Sequence, residues 1–202
     1  MPARRRPVAN RARRSRGVRI IAGDWRSRRI PVADAPGLRP TPDRVRETLF
    51  NWLAPVIAGA RVLDLYAGSG VLAFEALSRG AASAVLVERD ARLAATLRET
   101  SRLLGATHAQ VVHADAPGWL RVTRDAFDIV FLDPPFDRPD LLTEALELLR
   151  AGGLLTGDAR VHVETPAVGE WAVPAGWRVL RERRAGDVRH ALLAPGPDET
   201  SA

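Results

Sequence analysis

The chain has 202 residues, 46% of them hydrophobic, enough for one globular domain and a small extension. It has no cysteine, which excludes disulfides, thiolate metal sites and cysteine nucleophiles; all 30 of its basic residues are arginine, which excludes Schiff-base lysine chemistry. The net charge of +6 is unevenly placed: residues 1–19 hold eight arginines and no acid, and removing those eight charges leaves −2 on the rest. A basic arm on a near-neutral body points to a polyanion, most simply nucleic acid. No apolar run approaches the ~18 residues of a membrane span, and none follows the basic start as in a secretory signal. The lack of cysteine suits a reducing cytoplasm.

In chain order, residues 1–17 have no hydrophobic periodicity and read as a flexible arm. Residues 18–32 place two short apolar stretches around Gly23 and Asp24, the pattern of a β-hairpin. Pro36, Gly37 and Pro40 mark a loop. Thr41 is then expected to cap a helix over residues 42–53, with Pro42 at its first position and Val45, Leu49, Trp52 and Leu53 on one face. Arg44 and Glu47 lie off that stripe. From residue 61 strand and helix alternate: strands at 61–66, 84–88, 110–114 and 127–133, helices at 71–79, 90–104, 116–123 and 139–150. Two or three further strands are expected near 154–164, 177–182 and 188–194 without intervening helices. This predicts an α/β fold: a mostly parallel, Rossmann-like sheet with helices on both faces and an antiparallel C-terminal hairpin. The organisation reads as an arm (1–17), a hairpin and helix extension (18–58), an α/β domain (59–195) and a tail (196–202).

Ligands of open α/β sheets bind at the carboxyl ends of the strands. The first strand of the alternation ends in Asp64-Leu65-Tyr66-Ala67-Gly68-Ser69-Gly70. Its glycines permit a tight turn and close backbone approach, and Gly68 to Ala73 also fits the dinucleotide pattern G-x-G-x-x-A. A pyrophosphate is repelled by a carboxylate beside it, whereas S-adenosylmethionine carries a sulfonium and an ammonium and no phosphate. Asp64 therefore favours S-adenosylmethionine. Glu88 ends the next strand, suited to both ribose hydroxyls of either cofactor. Asp115 follows the third, suited to the adenine amino group or to capping the next helix.

The fourth strand runs into Asp133-Pro134-Pro135-Phe136, at the same sheet edge. The amino nitrogen of a nucleobase is a poor nucleophile because its lone pair is delocalised into the ring. A carboxylate (Asp133) and a main-chain carbonyl (Pro134) can accept its two hydrogens and turn the lone pair toward a methyl donor. Consecutive prolines stiffen the loop and present carbonyls without N–H donors. Phe136 offers a face for an extruded base. Methylation at pyrimidine C5 requires a cysteine, and the chain has none, which points toward an exocyclic nitrogen.

The chain resembles the bacterial 16S ribosomal RNA guanine-N2 methyltransferases, the RsmD family. The resemblance lies in RIIAGDWRSRRIPV (19–32), GLRPTPDRVRETLFNWL (37–53), VLDLYAGSGVLAFEALSRGA (62–81), DIVFLDPPF (128–136) and RAGDV (184–188). It implies a class I methyltransferase acting on the guanine at position 966, with an assembled or assembling small ribosomal subunit as partner. It further implies a cofactor site at Asp64, Ala67, Gly68, Ser69, Gly70, Glu88, Arg89, Asp115, Ala116 and Asp133. The catalytic loop is Asp133 to Phe136, and the segment from Arg39 to Glu47 closes over the site. Arg26, Arg28, Arg29, Arg39, Thr41, Arg44 and Glu47 are the expected substrate contacts; Arg39 and Arg44 suit phosphates and Glu47 the methionine ammonium. Asp187 and His190 stand where family members often carry glutamine and tyrosine. No metal site is expected, and a monomer is. The competing readings are a DNA adenine-N6 methyltransferase, a non-catalytic RNA-binding assembly factor and a nicotinamide dehydrogenase.

Overall fold

The computed structural model describes residues 17–32, 41–169 and 171–197. The arginine arm, Arg39 and the loop around Pro36, Gly37 and Pro40 therefore lie outside the described residues. The chain opens with a hairpin of two three-residue strands, β1 (Gly17–Arg19) and β2 (Arg29–Pro31), paired antiparallel with Val18 opposite Ile30. Helix α1 (Asp43–Leu53) follows. The alternating part then runs β3 (Arg61–Asp64), α2 (Val71–Ser78), β4 (Ser83–Glu88), α3 (Ala91–Leu104), β5 (Ala109–His113), α4 (Ala116–Leu120), β6 (Phe127–Leu132) and α5 (Pro139–Ala151). Strands β7 (Leu155–Pro166), β8 (Trp177–Ala185) and β9 (Val188–Pro195) complete a seven-stranded sheet in the order β5-β4-β3-β6-β7-β9-β8. The pairs from β5 to β7 are parallel, and β9 is antiparallel to both neighbours.

The central strands are continuous apolar runs because both faces of a parallel sheet are covered. Val62, Leu86, Ile129, Phe131 and Leu192 face α1, α2 and α3; Leu63, Val87, Val130, Leu132, Val163 and Leu193 face α4 and α5. The N-terminal extension joins the first of these layers: Ile20, Ile30, Leu49, Phe50 and Leu53 are all buried there. Each such side chain contributes roughly 1.5–3 kcal/mol by leaving water. Phe50 meets Phe131 edge-on at 6.1 Å, so α1 is seated beside the strand that leads to Asp133.

The hairpin is docked by a glycine and two buried charges. Gly23 takes φ +80°, and a Cβ there would lie 1.6 Å from the Ser78 carbonyl oxygen. Glu75 accepts the N–H groups of Ile21 and Ala22 at 2.8 and 3.0 Å. Arg46, fully buried, donates to Glu75 at 3.3 Å, to Asp43 at 2.7 Å and to the Arg19 carbonyl at 2.8 Å. Arg79 also bonds Glu75 at 2.8 Å and lies 4.8 Å over the Phe50 ring.

Two local expectations change. Thr41 does not cap α1: Pro42 occupies the N-cap with no side-chain bond, because the Thr41 hydroxyl turns 3.5 Å from Glu164 Oε1 instead. Helix α4 ends at Leu120 rather than 123, held at its start by Asp115, whose Oδ2 accepts the Gly118 N–H at 3.1 Å.

Candidate active site

Five acids mark successive strand ends. Along the sheet edge the order is Asp115 after β5, Glu88 ending β4, Asp64 ending β3, Asp133 after β6 and Glu164 near the end of β7. The registers make this a true row: Asp64 lies opposite Phe131, and Leu132 opposite Val163, so Asp133 and Glu164 are the next residues on neighbouring strands.

The glycine loop follows Asp64. Gly70 adopts φ +72°, and a Cβ there would meet Leu97 at 2.6 Å and Phe74 at 2.7 Å, so only glycine fits. The Gly68 N–H, the donor a phosphate would take, already donates to Glu88 Oε2 at 2.9 Å. Glu88 Oε1 accepts the Asp90 N–H at 2.8 Å. A carboxylate has about four acceptor sites, so Glu88 keeps capacity for a diol. Ala67, Ser69, Arg89 and Ala116 line the same turns; Ala67 and Ala116 are buried, Ser69 is half-buried and Arg89 is exposed. The loop is thus an acid-lined cradle rather than a phosphate nest, and its chemistry fits a cationic nucleoside such as S-adenosylmethionine. Burial, with Glu88 and Glu164 nearby, pushes the Asp64 carboxyl up to about 7; the Ala73 N–H partly offsets this. A cation would restore its charge.

Asp133 lies just past the β6 ladder, so its backbone is free of the sheet. Its carboxylate accepts no hydrogen bond among the described residues. Burial and the charges of Glu164 and Asp64 hold its pKa well above the usual carboxylate range. The Pro135 carbonyl accepts the Arg138 N–H at 2.9 Å, while that of Pro134 takes no partner among the described residues. Pro134 is buried, and Phe136 leaves 46% of its surface exposed.

The expected substrate residues divide. Arg28 is committed to the α3 C-terminus, donating to the carbonyls of Leu103 and Leu104, and Arg29 donates to the Gly17 carbonyl at 3.0 Å. Arg26, Arg44 and Glu47 are exposed, and their side chains have no partner among the described residues. Thr41 touches Glu164, which brings the start of α1 to the end of β7.

Glu164 and His162 are what sequence reasoning overlooked. The signal was there: Glu164 ends an apolar run, as Asp64 and Glu88 do. His190 Nδ1 lies 3.5 Å from Glu164 Oε1, and both side chains are buried. His190 and Thr41 help hold the Glu164 carboxyl below its ordinary pKa despite its burial. His162 stacks on His190 with ring centroids 5.7 Å apart and meets Phe131 edge-on. Ligand atoms of His162, Glu164 and His190 all lie within 4.8 Å of one another. The two rings are within 8° of parallel, so their in-plane lone pairs do not converge as a tetrahedral metal requires.

Comparison with known proteins places this arrangement in a family. The model described as conserved hypothetical protein 95 matches residues 18–194. Ribosomal RNA small subunit methyltransferase D of Escherichia coli K12 is 49% identical over 176 residues, covering 87% of this chain and 88% of the relative. Its Haemophilus influenzae namesake is 42% identical, covering 87% and 92%. The solved structure of the Escherichia coli protein yhhF, described as a candidate methyltransferase, superposes with a TM-score of 0.80 at 46% identity, covering 90% of this chain and 99% of that one. The fold, the row of strand-end acids and these matches agree, and the chain belongs to the conserved hypothetical protein 95 family, the RsmD family that its sequence resembles.

Proposed function

We propose that the protein transfers a methyl group from S-adenosylmethionine to the exocyclic N2 of a guanine in 16S ribosomal RNA, at position 966, within an assembled or assembling small subunit. The observation that carries the reading is the pair of open acceptors, the Asp133 carboxylate and the Pro134 carbonyl, one strand from Asp64. The named activity of the relatives supports methylation of ribosomal RNA. S-adenosylmethionine, when bound, supplies an electrophilic methyl group on a sulfonium. Asp64 and Glu88 hold the cationic nucleoside by charge and by hydrogen bonds, with Asp115 at its adenine end. Asp133 and Pro134 accept the two amino hydrogens, and Phe136 stacks on the extruded base. Asp133 takes the proton that the nitrogen gives up. Positioning of this kind contributes through near-attack geometry rather than covalent catalysis. Arg26 and Arg44, exposed and uncommitted, are the phosphate contacts we favour; Arg28 and Arg29 have structural partners instead.

The test is transfer of isotopically labelled methyl from S-adenosylmethionine to small ribosomal subunits, followed by digestion to nucleosides. Label in N2-methylguanosine is expected. Label in N6-methyladenosine, or none with bound cofactor, would contradict the reading.

A further inference from the structure

We propose that Glu164 selects guanine by accepting the hydrogen bond of its ring N1–H while Asp133 and Pro134 hold the adjacent amino group. The inference rests on the amino-methylation reading above and deepens it.

The sheet edge supplies the geometry. In the order Asp115, Glu88, Asp64, Asp133, Glu164 the first three acids serve the nucleoside cofactor and the fourth the reacting nitrogen. The fifth stands on the far side of the reacting nitrogen from the cofactor, where the rest of the base must lie. Glu164 has the alternation of β7 in common with His162, which faces the α1 side with Phe131. Asp133 follows Phe131 by two residues, and the Glu164 charge acts on its carboxylate directly.

The chemistry of the residue fits the place. Both known contacts of Glu164, with Thr41 and His190, use Oε1; Oε2 accepts no hydrogen bond among the described residues. His190 and Thr41 favour its ionised form, so it presents an acceptor and no donor. Beside its amino group, guanine carries an N1–H donor. The amino groups of adenine and cytosine are flanked by ring nitrogens that only accept. A fixed carboxylate next to the amino site therefore pairs with guanine and leaves adenine or cytosine facing an unpaired, buried charge. Sites built to hydrogen-bond a substrate group reject analogues lacking it by large factors.

The test uses 2-aminopurine, which keeps the 2-amino group but has an acceptor at N1. Small subunits reconstituted with RNA carrying guanine or 2-aminopurine at the target are methylated by the wild-type protein and by Glu164→Gln. The wild type should favour guanine by on the order of 100-fold in kcat/KM. Glu164→Gln, whose amide can donate to the analogue, should lower that ratio at least ~10-fold. An equal loss on both substrates would make Glu164 merely structural and overturn the proposal. Should the variant fail to bind cofactor, the wild type alone decides: equal use of the two bases overturns the proposal, and preference for guanine supports it. Absence of any methylation of guanine subunits by the wild type would instead overturn the underlying reading.

Discussion

Arg46 Nη1 donates to Glu75 Oε2 at 3.3 Å with both side chains shut away from solvent, and this pair ties helix α1 and the hairpin to helix α2. Its value lies in completeness. The guanidinium also reaches Asp43, the Arg19 carbonyl and the Thr41 carbonyl, and the carboxylate takes two backbone N–H groups and Arg79.

Breaking that network should cost more than making it gained. Arg46→Met keeps volume but leaves Glu75 with one fewer counter-charge, and a loss of roughly 3 kcal/mol in unfolding free energy is expected. Arg46→Lys should recover little, since one ammonium cannot reproduce the planar fork. Urea unfolding of the three proteins measures this, and a loss below ~1 kcal/mol for Arg46→Met would show that the pair is incidental.

Asp64 should set a stability–function conflict. Its folded pKa of about 7 lies above the ordinary 3.8, so between those values the folded state holds a proton that the unfolded state has released. Stability therefore falls as pH rises from 3.8 toward 7, by at most ~4 kcal/mol, and the loss is constant above 7. Asp64→Asn should melt higher than the wild type at pH 8 without its cofactor, while binding S-adenosylmethionine at least ~10-fold more weakly. Thermal melts and calorimetric titration check both halves.

His162 has the opposite sign. Burial pushes its pKa down from 6.5 to about 4, and neither ring nitrogen has a hydrogen-bond partner among the described residues. The unfolded chain takes up a proton that the folded one refuses, so stability is full above 6.5 and is lost as pH falls toward 4, by ~3 kcal/mol. His162→Phe should remove this acid-side loss and stabilise the protein near pH 5. A melting profile parallel to that of the wild type from pH 7 to 5 would exclude the effect.

Phe136 should matter for substrate and not for folding. It is 46% exposed, so Phe136→Ala gives up little core. Loss of one stacked base, worth ~1–3 kcal/mol, should appear as a roughly tenfold or greater fall in kcat/KM on RNA, with cofactor affinity and melting temperature unchanged.

Much of this was written in local patterns. Strands β3, β4 and β6 are short apolar runs ending at or before an acid, and that arrangement conveys both the parallel sheet and its ligand edge. Asp90 and Asp115 cap the helices that follow them, Asp90 accepting two backbone N–H groups of the first turn and Asp115 one. What local pattern could not carry was long-range polar pairing. Thr41 reads as a helix cap until Glu164, 123 residues later, takes its hydroxyl. Arg46 reads as one more charged residue of a helix that begins in charges, and only the fold supplies Glu75 as its partner. Arg28 reads as a free cation until the end of α3 arrives beneath it. Glu164 was legible by the same strand-end rule that found Asp64, but β7 leads into a hairpin rather than a helix, which hid the analogy.

The central claim is that the open acceptors of the Asp133 loop hold a guanine amino group for methylation. Its most direct test is nucleoside mass spectrometry of 16S ribosomal RNA from a strain lacking this protein, complemented with the wild type or with Asp133→Ala. The wild type should restore N2-methylguanosine at position 966, and Asp133→Ala, though still binding S-adenosylmethionine, should not. Full modification in the uncomplemented strain, or in the strain carrying Asp133→Ala, would contradict it.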